Sequence, residues 1–291
     1  MSFSINPWID LQQVFQFQFM QHAFEAGTAI AIVAGIVGYF VVLRRSSFAA
    51  HALSHIGFSG AALAVLIGVS PVYGLLLFTT VGGTVIAALG SRAAERDVQI
   101  GIVLSFMLGL GVLFISLYTG YATEAYSILF GEILGINFSD VLLTAVAGVV
   151  VLFLVAGIYR PLLFSSLDED VAEAKGVPVF LLGIIFMVLV AIATSISVQV
   201  VGVLLIFSLM VTPAATAMLL AKRPRQVIII SVALALIATW LGLFIAFWEP
   251  YPVSFFITTI SFIFYLFARY ITPRIRNLRS NYRKSMIKPD R

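Results

Sequence analysis

Residues 26–45 read AGTAIAIVAGIVGYFVVLRR, eighteen positions without a charge closed by the pair Arg44 and Arg45. A helix rising 1.5 Å per residue needs about 20 apolar residues to cross the hydrocarbon of a bilayer. With the residues from 14 onward, the run is long enough to span, and its basic end marks the cytoplasmic side. The same grammar recurs. Apolar stretches over roughly 14–43, 49–68, 72–91, 98–119, 140–159, 179–198, 200–220, 226–248 and 253–271 read as nine spans. All 17 Lys and Arg fall at alternate junctions: Arg44 and Arg45, Arg92 and Arg96, Arg160 and Lys175, Lys222 to Arg225, and a tail from Arg269 to Arg291. Cytoplasmic loops accumulate these residues, so the N-terminus is expected outside and the C-terminus inside.

Composition points the same way. At 61% hydrophobic and 10% charged, the chain lacks the polar residues to coat a soluble globule, for which about 25% charge is usual. The expectation is an all-α polytopic membrane protein, with a membrane domain over 1–271 and a basic cytoplasmic tail over 272–291. The net charge of +4 lies in short loops and the tail, which weighs against a nucleic-acid partner. There is no Cys, which excludes disulfides, thiolate metal sites and thiol catalysis. The lead over 1–12 has no basic region and no small-residue cleavage site, so no removable signal peptide is expected.

Between the fourth and fifth spans, Tyr121 to Ser139 carries Glu124, Glu132 and Asn137. It reads as an outer loop with a short, possible re-entrant helix. On the cytoplasmic side, residues 161–179 (PLLFSSLDEDVAEAKGVPV) hold Ser166 and Glu169 at capping-box spacing. Asp168 to Ala174, followed by Gly176 and Pro178, fits a short helix with a glycine stop. Its acids Asp168, Glu169, Asp170 and Glu173 run against the positive-inside trend and suggest a docking surface for another protein; a plain connector is the alternative.

Only three His occur: His22, His51 and His55. His51 and His55 are four apart on one helix face, a spacing that can put two nitrogens on one metal ion. Imidazole suits Zn, Fe, Ni or Cu, and ionisable groups inside a span are functional by default. His51 follows Arg45 by six residues, roughly 9 Å along a helix. Ser54 shares this small-residue span. In the seventh span Ser208, Thr212 and Thr216 form a stripe at i, i+4, i+8, which either lines a pathway or glues helices together. His22 and Glu25 form a possible outer polar pair, with a hydrogen-bonded interfacial pair as the bland reading. No phosphate loop, HExxH or GxSxG occurs, so the chain is not expected to be an enzyme, and ATP chemistry would belong to another chain.

Three segments carry a resemblance: residues 41–71 (VVLRRSSFAAHALSHIGFSGAALAVLIGVSP), 166–179 (SLDEDVAEAKGVPV) and 200–224 (VVGVLLIFSLMVTPAATAMLLAKRP). They look like the signature regions of the membrane permeases of zinc/manganese ABC importers, in order over most of residues 20–270. The resemblance implies eight or nine helices in a fold similar to the vitamin B12 and siderophore permeases. It also implies a homodimer in the cell (inner) membrane, a cytosolic ATP-binding subunit docking on a coupling segment at about 166–178, and an extracytoplasmic metal-binding protein. No permanently bound cofactor is implied, only the transported divalent ion. Such permeases typically carry an Asp and a His four apart in the second span; the matching positions here are His51 and His55. Exchanging a carboxylate for imidazole moves the preference toward Zn²⁺ and away from Mn²⁺, with Fe²⁺ a further candidate. A stand-alone secondary transporter remains the alternative, although the middles of spans two to nine contain no Asp or Glu.

Topology is directly testable because the chain has no native cysteine. Ser4→Cys should label from outside and Ser280→Cys only after permeabilisation. Equal labelling of both from outside would overturn the orientation.

Overall fold

The computed structural model describes residues 13–89, 93–118, 131, 133, 135–249 and 251–286. The lead over 1–12, Arg92, Glu124, Glu132, Lys288 and Arg291 lie outside the described residues, as does most of the outer loop expected over Tyr121–Ser139. The described elements are helices: α1 Gln18–Leu43, α2 Ser47–Leu66, α3 Pro71–Ala88, α4 Ala93–Leu117, α5 Phe138–Leu167, α6 Glu169–Ala174, α7 Val179–Val201, α8 Val203–Leu220, α9 Pro224–Trp248 and α10 Val253–Met286. Eight are long and apolar enough to cross a membrane, and a ninth apolar stretch, Leu205–Leu220 in α8, is shorter. The expectation of eight or nine spanning helices therefore holds.

Helix is the form a single chain segment can take in hydrocarbon, because it satisfies every interior backbone group within the segment. Hydroxyls inside the spans obey the same constraint by bonding back one turn: Thr28 Oγ1 donates to the Phe24 carbonyl at 2.6 Å, Thr79 to Leu75 at 2.7 Å and Ser197 to Ala193 at 2.7 Å. Others tie neighbouring helices. Ser231 of α9 donates to the Gly35 carbonyl of α1 at 2.9 Å, and the Thr79 and Ser195 hydroxyls meet at 2.5 Å between α3 and α7.

α1 and α2 are the most enclosed spans. α1 packs against α5, α7, α8 and α9, and α2 against α3, α4, α7 and α8. Close approach explains their small residues, since van der Waals contact replaces the hydrophobic drive that lipid removes. At Gly38 the backbone of α8 comes so near that an added Cβ would run into the Met210 carbonyl oxygen. The exposed aromatic and aliphatic side chains of α4, α5 and α10, such as Phe106, Phe153 and Phe267, cover the outside.

Most boundaries move by a few residues from the sequence expectation, and two move furthest. The fifth span, drawn to residue 159, continues as one helix to Leu167 through Pro161, and the last runs on to Met286 into the tail. Hydropathy ends where hydrocarbon ends, but backbone hydrogen bonding does not. The sixth and seventh spans are joined by Gly202 alone, at φ +82°, a left-handed corner that favours glycine.

Gly38→Leu should therefore cost much of the folded yield and lower the melting temperature in detergent, because the obstacle is backbone. Gly109, where an added Cβ meets nothing within 4 Å, should accept Ala without loss. Size-exclusion profiles after a temperature series would compare the two, and equal effects would mean the α1–α8 approach is not limiting.

Candidate metal site and coupling segment

α2 begins right after a tight corner. α1 ends at Arg44, whose N–H still reaches the Phe40 carbonyl at 2.9 Å. Arg45 turns at φ +54°, uncommon for a side chain other than Gly, Asn or Asp. The Ser46 hydroxyl then donates to the Arg44 carbonyl at 3.3 Å. From Ser47 the chain is helical again, so His51 and His55 sit on the first turns of α2 with one face in common.

Their rings lie edge to face with centroids 4.7 Å apart. Both residues are half-buried, and the Nδ1 of each is buried without a hydrogen-bond partner. Phe207 of α8 packs on His51 at 4.7 Å between centroids. Two adjacent imidazole nitrogens left without protein partners suit a borderline-soft divalent cation. Among the described residues no cluster of three or more His, Cys, Asp or Glu could hold a metal ion, so at this position the chain offers two imidazoles. That is too few for a closed tetrahedral site, and incomplete ligation leaves an ion free to move on.

The other expected pathway residues are less direct. Ser54 is buried and donates to the Ala50 carbonyl at 3.3 Å, along its own helix. Thr216 is buried and donates to the Thr212 carbonyl at 2.7 Å. Ser208 and Thr212 are half-buried on α8, near Phe207 in sequence. At the outer end, His22 is half-buried against Phe138, with ring centroids 6.1 Å apart, whereas Glu25 is exposed. No hydrogen bond or ion pair joins His22 to Glu25 among the described residues. Asp140 instead accepts from Gln199 Nε2 at 3.1 Å, a polar link between α5 and α7 that the sequence reading missed because 59 residues separate the partners.

In the acidic segment the cap lies two residues beyond the expected Ser166. Ser166 belongs to α5 and its hydroxyl donates to the Leu162 carbonyl at 2.5 Å. Asp168 therefore caps α6, accepting the Val171 N–H at 3.0 Å. The stop is as expected: Gly176 sits at φ +82°, and Gly176 and Val177 return N–H groups to the Glu173 and Ala172 carbonyls at 2.9 and 3.0 Å.

Arg44 connects these two regions. Its side chain is only 10% exposed, with Nη2 3.7 Å from Glu169 Oε1. Nη1 donates to Ser165 Oγ at 3.1 Å and Ser166 Oγ at 3.3 Å. The guanidinium lies 5.7 Å from the centre of the Phe186 ring. One cation thus ties the end of α5, the first turn of α6 and the corner leading into α2. Beside it a hollow of about 320 Å³ is walled by Glu169, Asp170, Glu173 and Phe180. Sequence reading used Arg44 only as a topology mark; nothing in its neighbours along the chain signals the contacts 121 and 122 residues away.

This arrangement has relatives. The model of the ABC 3 transport family matches residues 16–272. The chain is 36% identical over 273 residues to the manganese import system permease protein ScaB of Streptococcus parasanguinis, covering 94% of this chain and 96% of that protein. It is 27% identical over 213 residues to the high-affinity zinc uptake system membrane protein ZnuB of Haemophilus influenzae, covering 73% and 82%. A solved structure of PsaBC from Streptococcus pneumoniae in complex with Fab superposes with a TM-score of 0.83 at 31% identity, covering 95% of this chain and 100% of that one. An inward-facing metal-chelate type ABC transporter shares the fold, with a TM-score of 0.71 at 18% identity. By the extent of the family match and these identities, the chain belongs to the ABC 3 transport family.

Proposed function

We propose that this chain is the membrane-spanning permease of an ATP-driven importer of divalent metal ions, and that His51 and His55 form the ion's stepping stone through the membrane. The observation that carries the reading is the pair of adjacent imidazoles on α2, each with a buried Nδ1 that no protein group satisfies. Family membership supplies the context of transport. The reading includes an N-terminus outside, a cytoplasmic C-terminus, a homodimer, a separate ATP-binding subunit docking on Asp168 to Gly176, and an extracytoplasmic protein delivering metal. Ser54, Ser208, Thr212 and Thr216 accompany the pathway as small polar groups, and His22 with Glu25 lies at its outer approach.

For the ion, donor chemistry and relatives pull apart. The matched relatives of higher identity are named for manganese and a more distant one for zinc. Two imidazoles with no carboxylate beside them favour Zn²⁺ over Mn²⁺, since nitrogen sites follow the order in which Mn²⁺ binds weakest. We take the donor set as the stronger guide and place Zn²⁺ first.

In the cycle so proposed, ATP-driven movement of the partner pushes on α6, and Arg44 passes the displacement through the Arg45 corner to the start of α2. There the imidazoles exchange water for the ion and release it again.

His51→Ala and His55→Ala should each reduce uptake at least about tenfold while the complex still assembles, a loss on the scale of one metal ligand or its support. His51→Asp should keep transport and move competition toward Mn²⁺. Radiometal uptake into vesicles holding the full complex, with the other ion as competitor, reads both effects. Wild-type uptake by the double alanine variant would reduce these histidines to packing residues.

Arg44→Ala should leave insertion and docking intact but lower the metal moved per ATP hydrolysed, and Glu169→Gln should do the same in part. Because the Glu169 effect is expected to run through Arg44, the double variant should resemble Arg44→Ala alone. Independent, multiplying effects would remove Arg44 from the coupling route.

A further inference from the structure

A second feature lies on the outside of the helix bundle, away from the histidines. Between α5 and α9, floored by Ile36 of α1, runs a cleft of about 830 Å³ with Leu152 on one side and Ile228 and Ile229 on the other. Glycine opens it: at Gly157 an added Cβ would meet nothing within 4 Å. Pro161, one turn on, brings no N–H back to the Gly157 carbonyl. Its rim faces outward, with Ile229 68% exposed, so in a bilayer the cleft opens to acyl chains.

Its mouth is cationic. Arg160 from α5 and Arg225 from α9 both line the cleft and both are exposed. Among the described residues neither has a recorded hydrogen bond or ion pair, and the ion pair present is Arg44–Glu169. Lys222 and Arg223 stand just before Arg225 and raise the local potential further. Two like charges lining one cleft, with no carboxylate in its lining, repel each other unless an anion sits between them. A free anion would use only the mouth. An apolar slot ending in paired guanidinium groups, at the level of the basic helix ends, fits an amphiphile with a phosphate head and a hydrocarbon tail.

We propose that this cleft is a binding site for an anionic phospholipid of the cytoplasmic leaflet, the phosphate held between Arg160 and Arg225 and one acyl chain lying along Ile36, Leu152 and Ile229. Bound there, the lipid wedges α5 against α9 at the cytoplasmic level of the coupling segment, which α5 runs directly into at Asp168.

The test uses the full chain in nanodiscs of phosphatidylglycerol or phosphatidylcholine with identical acyl chains, read by native mass spectrometry for retained lipid and by melting temperature. The wild type should retain phosphatidylglycerol and melt several degrees higher in it. Arg160→Gln with Arg225→Gln should weaken retention by about tenfold or more, as expected for two lost basic contacts near a headgroup. Gly157→Leu, which keeps both charges and fills the slot, should lose retention too. Arg160→Lys with Arg225→Lys should keep a part of it, which separates lipid loss from misfolding. Arg283→Gln with Lys284→Gln, which removes two charges from the tail, should change nothing. The proposal is overturned if the tail variant loses as much lipid as the arginine variant, if Gly157→Leu binds lipid like the wild type, or if inorganic phosphate alone gives the same stabilisation. A Gly157→Leu variant that dissociates a dimer would also overturn it, by assigning the cleft to a second copy of the chain.

Discussion

Hydrocarbon offers a buried polar atom no water to fall back on, and most of this structure follows from that constraint. It makes each spanning segment a helix, sends Thr28, Thr79 and Ser197 back to carbonyls one turn earlier, and pairs Ser231 with the buried Gly35 carbonyl of α1. Several buried polar atoms still lack a partner among the described residues, the hydroxyls of Thr144, Thr194 and Thr239 among them. The imidazole nitrogens of His51 and His55 differ from these in sitting on two adjacent rings of one helix face. A group so placed is costly unless something passing through completes it.

The second organising contact is a buried cation. Taking a guanidinium out of water costs several kcal/mol unless it is well paired, yet Arg44 is 10% exposed with the Glu169 carboxylate 3.7 Å away. The two serine hydroxyls and the Phe186 ring offset part of that cost. What the arrangement provides is connection. Through Arg44 the helix α6 is tied to the corner that leads into α2, and that corner turns at Arg45 with φ +54°. A buried charge that joins α6 to the helix bearing His51 and His55 fits the transmitter role proposed above better than a role as a source of stability.

The lipid-facing side obeys the opposite logic. Where α5 and α9 part around Gly157, no side chain fills the gap, and the exposed Arg160 and Arg225 guard its end. The same residues that sequence reading counted as orientation marks acquire a second use once two helices bring them to one opening. In the orientation and lipid site proposed above, positive charge at the cytoplasmic boundary would serve both as the signal that orients the helices and as the chemistry that holds the leaflet's own anions.

Much was legible in the sequence alone. The apolar runs indicated the helical class and a count of eight or nine spans, because backbone satisfaction in lipid is a local requirement that each segment meets by itself. The spacing of His51 and His55 gave their shared face for the same reason, helix geometry being local. The positive φ of Gly176 followed from a local stop signal. Other features were decided only by the tertiary structure. That Ser166 belongs to α5 and leaves capping to Asp168, that Phe207 lies on His51, that Asp140 meets Gln199, and that Arg44 reaches Ser165, Ser166 and Glu169 all depend on helices distant in sequence coming together. In the membrane that assembly is governed by shape, by where glycines such as Gly38 admit another backbone, and a one-dimensional pattern of hydropathy carries no record of which helix fits there.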